Sequence, residues 1–81
     1  MRCEVLLFAQ LAEDVGRDHL TVDLPDGATG ADALEALASA HAPIAQMRKT
    51  LAIAVNERYC AGAQTLDDGD TIALIPPVSG G

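Results

Sequence analysis

An α+β fold, with one main helix packed across one face of a mixed sheet of about five strands, is what these 81 residues predict. Three observations carry that prediction: several short runs alternate with period two, one longer run carries an apolar stripe at helical spacing, and turn-forming residues separate them. The first eight residues form a strand, in which Cys3, Val5 and Leu7 alternate with Arg2, Glu4, Leu6 and Phe8. Ala9 to Val15 then fits a short helix, which Gly16 is placed to close in a left-handed conformation. Leu20, Val22 and Leu24 alternate with Thr21 and Asp23 as a second strand, ended by the turn chemistry of Pro25-Asp26-Gly27.

Thr29 and Asp32 have the spacing of a capping box. The main helix should therefore run from Gly30 to about His41, with Leu34, Leu37, Ala38 and His41 on one stripe. Ala42-Pro43 stops it. Leu51 to Val55 reads as a third strand, with Leu51, Ile53 and Val55 on one face and Ala52 and Ala54 on the other. Asn56-Glu57-Arg58 reads as a turn into a short strand near Tyr59-Cys60. Asp68-Gly69-Asp70 makes another turn, and Thr71 to Ile75 the last strand. Pro76-Pro77 ends ladder pairing, which divides the chain into a domain over 1–75 and an extended, flexible tail over 76–81. This order is that of the β-grasp, or ubiquitin-like, arrangement.

Composition narrows the function classes. With only two aromatic residues, Phe8 and Tyr59, the core must come from Leu, Ile and Val and will be small, so a partner is expected to add stability. A formal charge of −7 with scattered basic residues argues against nucleic acid, whose phosphates require clustered Lys and Arg. It favours solubility and encounters with basic protein surfaces. The apolar run Val5 to Ala9 is too short to span a bilayer and lacks a signal-peptide pattern, so a cytoplasmic protein is expected. Cys3 and Cys60 have no metal-ligand spacing and read as reduced thiols.

Self-contained catalytic chemistry is absent from the pattern. His19 and His41 lack partners at ligand spacing, so no metal site is expected. Asp67-Asp68-Gly69-Asp70 lacks the rest of a calcium loop and reads as a turn. Ser79 has no nucleophile-elbow context. The tail is different. Pro76-Pro77 stiffens its exit, and Val78, Ser79, Gly80 and Gly81 taper to residues narrow enough to thread a channel. From Pro76 to Gly81 the reach is about 18–20 Å. On pattern alone, a frayed end and a functional tail are both compatible with this segment.

The alternation supplies a second indication. If Cys3, Val5 and Leu7 face the helix, Leu6 and Phe8 face outward, and Ala73 and Ile75 do the same in the last strand. First and last strands are parallel neighbours in a β-grasp sheet. Leu6, Phe8, Ala73 and Ile75, smoothed by Ala52 and Ala54, should then form an exposed docking face where the tail leaves. The alternative is a sheet covered on both faces.

The ending Leu74-Ile75-Pro76-Pro77-Val78-Ser79-Gly80-Gly81, preceded by Leu66-Asp67-Asp68-Gly69-Asp70-Thr71-Ile72, resembles the small, sulfur-carrying subunit of molybdopterin synthase. Phe8-Ala9-Gln10-Leu11 with Gly16, and Ala54-Val55-Asn56-Glu57, resemble the same family, and the likeness spans essentially the whole chain. The resemblance implies that an ATP-dependent adenylating enzyme activates the Gly81 carboxylate and that a sulfur donor protein converts it to a thiocarboxylate. It further implies sulfur transfer to cyclic pyranopterin monophosphate inside the large synthase subunit, in a heterotetramer, with no cofactor bound by this chain. The small subunit would then be non-catalytic alone. Related readings are a sulfur carrier for thiamine or cysteine synthesis, a ubiquitin-like protein modifier, and a plain interaction domain with an inert tail.

Overall fold

The computed structural model describes residues 1–60 and 62–77. Five strands form one sheet: β1 (Arg2–Leu7), β2 (His19–Asp23), β3 (Ala52–Val55), β4 (Arg58–Cys60) and β5 (Thr71–Ile75). Their order is β2-β1-β5-β3-β4, with β1 and β5 parallel at the centre and every other pair antiparallel. Helices α1 (Ala9–Val15), α2 (Gly30–Ala40) and α3 (Ala42–Met47) complete the fold. This is the expected β-grasp.

The core follows the period-two reading. Cys3, Val5 and Leu7 of β1 and Ile72 and Leu74 of β5 are all buried, and Ala33 and Leu37 of α2 join the same cluster. Its large members are Leu, Ile and Val, as composition requires. The Cys3 thiol is buried and free, 3.6 Å from the carbonyl oxygen of Asp67. Burial raises its pKa, and the nearby Asp70 and Asp68 charges act in the same direction, so it is a packing group rather than a nucleophile.

Three local features depart from the sequence reading. The chain does break at residues 41–42, but a further helix, α3, follows at once, with Pro43 in its first turn. Proline is well suited there, because the first helical N–H groups have no intrahelical acceptor. The buried stripe of α2 is Gly30, Ala33 and Leu37, whereas Leu34 and Ala38 are only partly buried and His41 joins the two helices. Loop contacts set that rotation: the Gly30 N–H donates to the Gln64 carbonyl at 3.0 Å, and Ala31 N–H to Gly62 at 2.8 Å. Finally, β3 starts at Ala52, because the Leu51 N–H still closes the end of α3 on the Met47 carbonyl at 3.2 Å.

The predicted capping box is present. The Thr29 hydroxyl accepts from Asp32 N–H at 3.3 Å, and the Asp32 carboxylate accepts from Thr29 N–H at 2.9 Å. Thr29→Ala should destabilise the domain by about 1 kcal/mol, measurable as a lower urea midpoint with an unchanged slope. Gly16 closes α1 with φ of 86°, the left-handed conformation expected of it.

On the exposed edge of the sheet, the Arg2 guanidinium donates to Asp23 at 2.8 and 3.3 Å. This pair holds the Asp23 carboxyl below its usual range and the Arg2 pKa above its own, through the hydrogen bond first and the charge second. A depressed carboxyl pKa contributes stability that is complete above the unfolded value, about 3.9, and is lost as pH falls through the folded one. Arg2→Gln should therefore be slightly less stable than the parent at pH 7 and indistinguishable from it in strong acid, by urea unfolding at both pH values.

Candidate functional site

The outer face of the sheet, opposite α2, carries the features singled out in the sequence. Register places Leu6 of β1 beside Ala73 of β5, and Ala54 of β3 beside Ala73 on its other side. Ala52 pairs with Ile75. Phe8, just past β1, is 44% exposed, and Leu6, Ala73 and Ile75 are half-buried. A shallow hollow of about 240 Å³ joins Leu6, Phe8, Ala54, Ala73 and Ile75. The four predicted docking residues thus share one continuous apolar surface.

One aromatic was missed in the sequence. Tyr59, on edge strand β4, pairs with Ala54, lines the same hollow and is 74% exposed. Its signal was register. A two-residue connection from Val55 to Arg58 puts residue 59 opposite residue 54, on the outer face. Glu57 and Thr71 complete the lining.

The tail leaves beside this surface. β5 ends at Ile75, and Pro76 is buried whereas Pro77 is exposed. A second hollow, about 550 Å³, is lined by Phe8, Ala9, Gln10, Met47, Ile75, Pro76 and Pro77. Phe8 and Ile75 therefore belong both to the apolar face and to the root of the tail. Val78, Ser79, Gly80 and Gly81 lie outside the described residues.

Among the described residues, the three non-glycine residues with positive φ all adjoin this region: Ala9 at 52°, Asn56 at 51° and Glu57 at 72°. Such conformations disfavour side chains with a Cβ and persist only where neighbours enforce them. The other polar candidates are structural. Asp68 accepts from the Arg2 N–H at 2.7 Å, and Asp70 accepts from the Asn56 amide at 2.9 Å and the Asp67 N–H at 2.8 Å. These carboxylates tie a turn to the sheet. His19 lies 3.8 Å from the Glu4 carboxylate on the exposed surface, and His41 sits at the junction of α2 and α3. Among the described residues no group of three or more His, Cys, Asp or Glu side chains is placed to hold a metal ion. No helix of the described residues is long and apolar enough to cross a membrane.

With this geometry in place, comparison with known proteins is decisive. Residues 5–81 match the model of the ThiS family. The chain belongs to the ThiS family. Among its relatives is the molybdopterin synthase sulfur carrier subunit of Chlamydomonas reinhardtii, 39% identical over all of both chains. The family resemblance read from the tail and the N-terminal segment is therefore borne out over the full length. Small archaeal modifier protein 1 of Haloferax volcanii is also similar: its crystal structure superposes with a TM-score of 0.87 at 37% identity, covering all of both chains. A third match, covering all of both chains at 26% identity and a TM-score of 0.68, comes from a complex of subunits 1 and 2 of the molybdopterin-converting factor of Helicobacter pylori.

Proposed function

We propose that this ThiS-family chain is a cytoplasmic sulfur carrier for molybdopterin synthesis, acting through the carboxylate of Gly81. The observation that carries the reading is the position of the apolar face: Phe8 and Ile75 line both that face and the hollow at the Pro76-Pro77 stem. A partner that covers the face is thereby positioned to receive the tail. The Chlamydomonas relative is named for the sulfur carrier role, and the Helicobacter structure places a similar subunit in a complex with a second one. Both support docking to a large synthase subunit; the heterotetramer, with two copies of each chain, belongs to the proposal alone.

The chemistry follows from the weakness of a carboxylate as an electrophile. An adenylating enzyme joins a Gly81 oxygen to the α-phosphate of ATP, releasing pyrophosphate. A persulfide of the sulfur donor protein then attacks the acyl carbon and AMP leaves with that oxygen. A thiol next cleaves the S–S bond of the resulting acyl disulfide, so that a thiocarboxylate is released and the donor's sulfur ends in a disulfide with that thiol. In the large subunit the sulfur passes to cyclic pyranopterin monophosphate, and water restores the carboxylate. Two transfers supply the dithiolene. The buried Cys3 thiol takes no part in this scheme, and acid–base and cationic groups come from the partners. This chain contributes delivery, because a tethered sulfur reacts as though at very high local concentration.

Reconstitution tests the reading. Thiocarboxylated chain, a large synthase subunit and the pterin precursor should give product with two carriers consumed per molecule formed. Absence of product from fully thiocarboxylated chain would contradict it. The similarity to small archaeal modifier protein 1 favours one second reading, in which the activated Gly81 is captured by a lysine amine instead. Covalent high-mass adducts of the chain in cell extracts would select that alternative.

A further inference from the structure

We infer that Glu57 sets register and partner choice on the apolar face, as a carboxylate held at its edge to pair with a basic side chain of the docking protein. This rests on the docking reading above and extends it by naming the partner's chemistry: an apolar surface flanked by a guanidinium or ammonium group. The connection from Val55 to Arg58 has two residues, Asn56 and Glu57, both at positive φ. Asparagine tolerates this region, whereas the second position of such a hairpin turn strongly favours glycine. Glu57 thus stands where stability alone would select glycine.

Strained residues of this kind gather at binding sites whose surroundings over-determine them. That enforcement is visible here. Asn56 N–H donates to the Thr71 carbonyl at 2.8 Å, its side-chain amide donates to Asp70 at 2.9 Å, and its side-chain oxygen accepts from Thr71 N–H at 3.0 Å. The turn is pinned to the start of β5, and Glu57 lines the same hollow as Leu6 and Tyr59. Among the described residues no basic side chain lies within ion-pair distance of its carboxylate. A partner that covers the hollow strips water from this carboxylate, which is tolerable only when a cation faces it. An acidic competitor is repelled by the same group, so the gain is selectivity more than affinity.

The test compares Glu57→Gly, Glu57→Gln and Glu57→Lys with Phe8→Asp, titrated against a large subunit of molybdopterin synthase at low and high salt. Glu57→Gly should raise Tm by about 4 °C through relief of the turn, and yet bind more weakly. Glu57→Gln should weaken binding about three- to fivefold at low ionic strength, with the difference vanishing near 1 M salt. Glu57→Lys should lose more than Glu57→Gln. Parent-like binding of the Gln and Lys variants at low salt, beside a weakened Phe8→Asp, would overturn the inference and leave the docking face standing. Parent-like binding of Phe8→Asp would overturn the face itself, and the inference with it.

Discussion

Appending a single residue after Gly81 is expected to abolish sulfur transfer while leaving affinity for the large synthase subunit nearly unchanged. The added residue moves the terminal carboxylate by about 3.5 Å and, unless it is glycine, adds a Cβ beyond the narrow Gly80-Gly81 end. Displacements of only 1 Å at a reacting group can lower rates about 100-fold, so the loss should be at least that large. On the proposed reading, docking uses the sheet face, where Leu6, Phe8, Ala73 and Ile75 are untouched by the extension, so the change in binding energy should stay within about 0.5 kcal/mol. Product formed per carrier and calorimetric titration, run on the same preparation, separate the two effects. Full transfer activity in the extended variant would contradict the role assigned to the tail.

Phe8→Asp and Ile75→Asp should have the opposite signature, loss of docking with an intact tail. Each places an unpaired charge in a surface that loses its water on binding, which costs roughly 2–5 kcal/mol, or about thirtyfold to several thousandfold in Kd. The fold should survive, because Phe8 is 44% exposed and Ile75 is half-buried on the outer face, away from the Leu and Val side chains beneath the sheet. Thermal melts provide the control. A variant that keeps its Tm yet fails to bind supports the face, and unchanged affinity in both variants would show it to be misplaced.

Most of the sheet was legible in the sequence because one physical rule governs it. Side chains alternate between faces, so burial of Cys3, Val5 and Leu7 dictated where Leu6 and Phe8 point. The parallel pairing of β1 with β5 then joined Leu6 to Ala73. What escaped was settled by contacts distant in sequence. Helix α3 has a single buried residue, Ile44, which gives no periodic signal, and its Pro43 reads equally well as the end of one helix or the start of the next. The rotation of α2 depends on the loop around Gly62 and Gln64, which the local pattern of Leu34, Leu37 and Ala38 does not contain. Tyr59 joined the face only once the length of the Asn56-Glu57 turn fixed its register. The strain at Glu57 has no sequence signal beyond the missing glycine.

Legibility of the site was likewise uneven. The role proposed for Val78 to Gly81 comes from the sequence and the family resemblance, and the structure contributes the surroundings of the stem before them: a buried Pro76, an exposed Pro77 and an apolar face sharing two residues with the stem. The same setting accommodates any partner that needs a C-terminal acyl group delivered into an enclosed site. The chemistry at Gly81 therefore discriminates among the family's roles, and the fold does not.

The most direct measurement of that chemistry is the mass of the C-terminal peptide of the chain, isolated from cells that make molybdopterin. The account predicts a population in which one oxygen is replaced by one sulfur, confined to Gly81, and its loss on incubation with the large subunit and pterin precursor. A C-terminus found only as free carboxylate or joined to lysine side chains, in cells actively making the cofactor, would contradict it.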